Sequence, residues 1–140
     1  MNSYLNDRKA IDRLKREYQE HGNLIIGFDF DCTIYDYHNE NLELQPVISL
    51  LKECSDLGFT MCLYSISLLH SEMQLNDKVI YCNELGIKPS MVNHSPILNA
   101  QNIAVGQSIK PFFSILLDDR AGLSASYNIL KTTLIELGLI

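Results

Sequence analysis

Apolar positions fall into short continuous runs separated by longer stretches with spacings of three and four, a pattern that predicts buried strands alternating with amphipathic helices. In residues 5–21, Ile11, Leu14 and Tyr18 stand at helical spacing, and Gly22 supplies a stop. Residues 24–30 lack polar alternation and predict a strand buried on both faces. Pro46 suits the first turn of a helix carrying Val47, Ile48, Leu50, Leu51 and Cys54 that ends near Gly58. Residues 59–64 form the next apolar run, followed at once by Ser65. Residues 69–85 predict a helix closed by Gly86, and residues 91–93 a short third strand. Residues 94–108 show no clear period and are expected to be loop with room for a short helical turn. Residues 112–117 predict the fourth strand and residues 123–137 the last helix.

Strands separated by helices argue for an α/β fold: a Rossmann-like parallel sheet with right-handed crossovers and helices on both faces. The 140 residues suit one domain, with residues 1–23 as an N-terminal helix packed on its core. In such sheets ligands bind beyond the carboxyl ends of the strands. Asp29 and Asp31 end the first strand, Ser65 the second, Asn93 the third, and Asp118 with Asp119 the fourth. Every strand therefore delivers polar groups to one edge.

Asp is depleted in strands and rarely buried without a partner, so Asp29 and Asp31 after an apolar run need a reason. Residues two apart in an extended segment share a side, which groups Asp29, Asp31 and Thr33 and turns Phe28 and Phe30 away. Up to four carboxylates on one rim raise each other's pKa or demand a counter-ion. An all-oxygen set without His or Cys suits a hard cation, and Mg²⁺ is the usual choice where carboxylates, waters and a phosphate share the shell. Lys110, shortly before the fourth strand, would add a fixed positive charge.

With 17 acidic against 11 basic residues the net charge is −6, which disfavours a nucleic-acid partner without excluding it. Arg8, Lys9, Arg13, Lys15 and Arg16 form a basic cluster, but Asp7, Asp12 and Glu17 interleave with it, as on a solvated helix face. Cys32, Cys54, Cys62 and Cys82 have no C-x-x-C spacing and are expected to be reduced thiols; only Cys32 sits near the acidic motif. No signal-like segment or membrane-length apolar run is present, so a soluble cytoplasmic protein with no membrane partner is expected. Oligomeric state is left open.

These residues resemble the haloacid dehalogenase superfamily of phosphatases and phosphotransferases. Its pattern is an apolar strand followed by Asp-x-Asp-x-Thr, then Ser or Thr ending a second strand, then Lys, then an acidic pair ending a further strand. Here the matching positions are Asp29, Asp31 and Thr33, then Ser65, Lys110, and Asp118 with Asp119, in that order from Leu24 onward. The stretch from Lys110 to Gly122 is similar to small phosphohydrolase-like proteins of bacteria and phages. Two positions depart: Cys32 stands where Gly or Asn is commoner, and Asn93-His94-Ser95-Pro96 where that group often has Asn-Glu-Asn-Pro.

The resemblance implies a Mg²⁺-dependent phosphomonoesterase acting on a small phosphorylated metabolite, a nucleotide or a sugar phosphate. Asp29 would attack phosphorus and form an aspartyl-phosphate, while Asp31 would protonate the leaving oxygen and later deprotonate water. Metal ligands would be the Asp29 side chain, the Asp31 carbonyl and Asp118, with Asp119 either ligating directly or orienting its neighbours. Ser65 and Lys110 would hold phosphate oxygens, Asn93 would contact substrate, and Thr33 would secure the loop. Tyr35, Tyr37 and His38 either line the pocket or pack beneath the following helix. The intervals from Thr33 to Ser65 and from Ser65 to Lys110 leave no room for a folded cap. The alternatives are a phosphatase of polynucleotide ends, and a phosphate-binding or regulatory module with little turnover.

Overall fold

The computed structural model describes residues 3–66, 73–93 and 112–140, together with the backbone of residues 95–98 and 104–108. Its elements run α1 (Asp7–His21), β1 (Ile25–Phe28), α2 (Gln45–Asp56), β2 (Thr60–Leu63), α3 (Leu75–Glu84), β3 (Met91–Val92), β4 (Ser95–Leu98), β5 (Ala104–Ser108), β6 (Ile115–Leu117) and α4 (Leu123–Glu136). Four strands form a parallel sheet in the order β3-β2-β1-β6, so the fold is α/β and Rossmann-like. Lys110 and His94 lie outside the described residues.

Residues 94–108, expected as loop, instead contain an antiparallel hairpin in which β4 pairs with β5, with a register shift between Ile97 and Leu98. Pro96 hid it. Proline lacks the N–H that a central strand needs, but in a two-stranded ribbon every strand is an edge and one missing donor is tolerated. The helix expected from residue 69 begins, among the described residues, at Leu75, where the Asp77 carboxylate accepts the Gln74 N–H at 3.1 Å.

α1 starts where Asn6 Oδ1 accepts the Arg8 N–H at 2.9 Å and ends at Gly22, whose φ of +65° lets its N–H return to the Tyr18 carbonyl at 2.7 Å. The helix is clipped to the sheet through buried Ser114, whose hydroxyl donates to Glu17 at 2.5 Å and accepts the Ile25 N–H at 2.8 Å. Arg13 adds a bond to the Ser114 carbonyl at 3.0 Å. Arg8 and Lys15 both pair with Glu136 of α4, at 2.7 and 3.2 Å. Part of the N-terminal basic cluster thus ties α1 to α4.

The core gathers Leu14, Leu24, Ile26, Phe28, Leu51, Met61, Leu63, Ile87, Leu117 and Leu130, all essentially inaccessible to solvent. Burying each such side chain is worth about 1.5–3 kcal/mol. The four cysteines are free, and Cys54, Cys62 and Cys82 are buried in this core. No helix among the described residues is long and apolar enough to cross a membrane.

Gly27, in the middle of β1, is required by a close approach. A Cβ there would stand 2.6 Å from Cγ of Phe113, whose ring is held edge-on against Tyr64 at 5.5 Å. Replacing a strand glycine by alanine normally gains about 0.5–1 kcal/mol from reduced backbone entropy. Overpacking costs more, about 1–3 kcal/mol. Gly27→Ala is therefore expected to lower the urea midpoint at unchanged m-value, and an unchanged or raised midpoint would show that the Phe113 contact does not constrain β1.

Candidate active site

The sheet register decides what meets at its carboxyl edge. Phe28 pairs with Leu63 and with Leu117, and Leu63 pairs with Val92, so the next residues along the strands lie level. Their backbone ladder continues one step: Asp29 N–H donates to Leu117 O at 2.9 Å, Tyr64 N–H to Phe28 O at 2.8 Å and Asn93 N–H to Leu63 O at 2.7 Å. The chain runs outward from β1 to β2 and β3 on one side, and β6 closes the other side of β1. The reversal of strand order falls between β1 and β6, where a crevice opens. Asp29 and Asp118 stand on its two sides.

Beyond Asp29 the chain turns tightly around one carbonyl. Phe30 O accepts the N–H groups of Thr33, Ile34 and Tyr35 at 3.3, 3.0 and 3.1 Å, and Tyr35 O accepts the Cys32 N–H at 2.7 Å. The loop is anchored from below, because buried Phe30 stacks on Tyr35 and meets Tyr81 edge-on, with ring centroids 5.3 and 5.4 Å apart. Thr33 is fully buried, and its hydroxyl accepts the Asp119 N–H at 3.2 Å. Thr33 thus joins the loop after β1 to the loop after β6, the securing role expected of it.

Cys32 has φ +62°, the left-handed region that non-glycine residues enter at a cost of about 1–2 kcal/mol. That geometry gives a physical reason for Gly or Asn at such a position. Burial, then the Asp119 charge, pushes the Cys32 thiol pKa above its ordinary value, so the thiolate is disfavoured at neutral pH.

Ser65 is almost fully buried, and its backbone N–H donates to Asn93 Oδ1 at 2.8 Å. Asn93 itself takes φ +61°, folding its side chain back over the end of β2. The residue absent from the sequence reading is Lys78, on α3, which is only 3% exposed. Its ammonium donates to Ser65 Oγ at 2.9 Å, to the Ile66 carbonyl at 2.9 Å and to Asp31 Oδ2 at 3.3 Å, and lies 5.2 Å from the Phe30 ring centroid. Three acceptors match its three N–H donors, which is what makes a buried lysine tolerable. A lysine in a helix ordinarily reads as solvated. The signal was its spacing, since Lys78 lies four residues before buried Cys82, on the face that α3 turns inward.

Asp29, Asp118 and Asp119 each offer a carboxylate oxygen, all within 4.8 Å of one another. Burial raises the Asp29 pKa from 3.8 to about 7, repulsion from Asp118 and Asp119 adds to this, and the Phe30 N–H pulls partly the other way. Carboxylates this close, one of them held protonated up to neutral pH, are a donor set that fits a hard divalent cation. The crevice widens into a cavity of about 840 Å³ lined by Asp29, Asp31, Cys32, Tyr37, His38, Tyr64, Ser65, Ile66, Leu75, Asn93, Asp118, Asp119 and Arg120. Tyr37 and His38 thus line the pocket, whereas Tyr35 packs against Phe30 and Tyr81.

No family model and no curated protein matches the chain. Among solved structures it is similar to a conserved protein from Bacteroides thetaiotaomicron, with a TM-score of 0.56 and 21% identity over 82% of this chain and 92% of that one. The likeness is one of fold.

Two outcomes follow from these local conditions. Between about pH 4 and pH 7 the folded protein holds an Asp29 proton that the unfolded chain has released, so this group's contribution to stability falls as pH rises through that window. In buffer free of divalent cations, Asp29→Asn is expected to raise Tm at pH 8 by a few degrees, at about 4 °C per kcal/mol, and to change it little at pH 4. A lower Tm for the variant at pH 8 would refute the raised Asp29 proton affinity. Cys32→Gly is expected to be neutral or to stabilise by up to about 1 kcal/mol in urea unfolding, because relief at positive φ outweighs the added freedom of the unfolded chain. A loss above that size would mean that the thiol's packing dominates.

Proposed function

We propose that the chain is a Mg²⁺-dependent phosphomonoesterase that works through an aspartyl-phosphate at Asp29. The observation that carries this reading is a three-carboxylate cluster on a cavity that Ser65 also lines, with the buried Lys78 ammonium bonded to the Ser65 hydroxyl behind it. The cluster suits a cation, and Ser65 with Lys78 suits the oxygens of a phosphate. Asp31 lines the same cavity and accepts a bond from Lys78 at 3.3 Å.

Asp29, Asp118 and Asp119 would hold the cation, together with the Asp31 carbonyl. When bound, Mg²⁺ supplies charge neutralisation that lets an anionic nucleophile approach an anionic phosphate. The chain's own groups do the rest. An Asp29 carboxylate oxygen forms a bond to phosphorus as the bond to the leaving oxygen breaks, and Asp31 gives that oxygen its proton. Water then attacks phosphorus, Asp31 takes the water's proton, and the Asp29–phosphorus bond breaks to release inorganic phosphate. Lys78 and the Ser65 hydroxyl hold the equatorial oxygens, where charge accumulates during both displacements. Lys78 thereby offers the kind of charge that the sequence pattern suggested for Lys110, which lies outside the described residues.

Lys78 is preorganised for this. It is already desolvated and already bonded to Ser65 Oγ, so an arriving phosphate exchanges acceptors on a fixed ammonium instead of ordering a mobile one.

The test is phosphate release from p-nitrophenyl phosphate with and without Mg²⁺, in the wild type, Asp29→Asn and Lys78→Met. Release is expected only with Mg²⁺, abolished by Asp29→Asn and reduced by about 10²–10³-fold by Lys78→Met. Lys78→Met should still fold, since Asp31, its charged partner, is 33% exposed and can be hydrated when unpaired. Metal-independent release, or undiminished release by either variant, would overturn the mechanism.

A further inference from the structure

The cavity is larger than a phosphate needs, and its outer wall differs from its floor. The floor is Asp29, Asp31, Ser65 and Asp118, all polar and none of them exposed. At the mouth stand Tyr37, Tyr64 and Ile66, which are 58%, 39% and 73% exposed. Large apolar side chains left in water are informative when they gather around one opening. Here three of them border a single crevice.

Tyr37 is displayed, not merely exposed. The loop that carries it is built around Asp36, whose carboxylate accepts the N–H groups of Glu40 and Leu42 at 3.0 and 3.3 Å, while its carbonyl accepts the Asn39 N–H at 3.1 Å. Asn39 and Asn41 both adopt positive φ, +52° and +57°, to close this turn. The Tyr37 N–H returns to Tyr35 O at 2.9 Å, and its ring meets His38 edge-on at 4.8 Å. Tyr64 lines the same cavity, and its ring is steadied by Phe113. Two tyrosine rings are thus fixed on one cavity whose floor is built for phosphate.

From this arrangement we infer that the preferred phosphomonoester carries a planar aromatic group, as a nucleoside monophosphate does, and that Tyr37 and Tyr64 are its specificity-determining residues. The inference rests on the phosphomonoesterase reading for the position of the phosphate. A neutral aromatic wall also fits the electrostatics. With the cation and Lys78 engaged by the phosphate, the rest of the ligand must be held by contacts that need no positive charge, and stacking on a ring is such a contact. Sugar phosphates present no π-face and would gain only the floor.

The test compares a nucleoside 5′-monophosphate with ribose 5-phosphate, which has the same phosphate and sugar and lacks only the base. Binding to Asp29→Asn is measured by calorimetry in Mg²⁺, so that turnover is not needed. Binding of the nucleotide about tenfold or more tighter than ribose 5-phosphate is expected. Tyr37→Ala should erase most of that preference, Tyr37→Phe should keep it because the ring and not the hydroxyl stacks, and Tyr64→Ala should weaken it. Equal binding of the two ligands, failure of both to bind, or a preference indifferent to Tyr37→Ala and Tyr64→Ala would overturn the inference. Phosphate release from p-nitrophenyl phosphate by the wild type separates the two claims. Release with no preference for the base defeats this inference alone, and no release with the preference intact defeats the phosphomonoesterase reading alone.

Discussion

Crowding of the Asp29, Asp118 and Asp119 carboxylates within 4.8 Å at the reversal of strand order is the constraint around which the rest of the molecule is arranged. Repulsion of that kind opposes folding, and it is sustained because the register of β1 and β6 leaves no alternative. Phe28 opposite Leu117 forces Asp29 and Asp118 level, and a slip of one residue would turn Phe28 and Leu117 out of the core. The hydrophobic core therefore holds the acids together against their own repulsion. Burial first, and that repulsion second, raise the proton affinity of Asp29, and a divalent cation is the simplest resolution.

The other half of the site is held by a different device. Lys78 comes from α3 and reaches Ser65 and Asp31, so one side chain links the helix, the end of β2 and the loop after β1. Thr33 makes the corresponding link between the loops after β1 and β6. With Phe30, Tyr35 and Tyr81 packed beneath, the loop carrying Asp31 is fixed from three directions. Tight placement of this sort is what positional catalysis demands.

Much of this was legible in the chain because it depends on strands, whose apolar runs are short and sharply ended. The edge formed by Asp29, Ser65, Asn93 and Asp118 follows from the run lengths alone once the sheet is parallel. What escaped depends on context that no single stretch contains. Lys78 reads as an ordinary helix lysine until its three acceptors, all of them more than ten residues away, are in place. Cys32 looked like a side-chain question and is a backbone one, set by φ +62°. The β4–β5 hairpin carries a proline and a register shift, both of which erase the alternation by which strands are recognised. Tyr37 could have packed or lined the pocket, and the Asp36-centred turn decides between these in favour of the pocket.

The central claim is that the carboxylate cluster makes Asp29 a nucleophile toward phosphorus. Its most direct test is to react the protein with p-nitrophenyl phosphate in Mg²⁺, quench with acid within the first turnovers, and map any phosphoryl group by peptide mass spectrometry. The account predicts an adduct on the peptide carrying Asp29, at Asp29 itself, absent without Mg²⁺. Phosphate release with no adduct, or an adduct on any other residue, would contradict it.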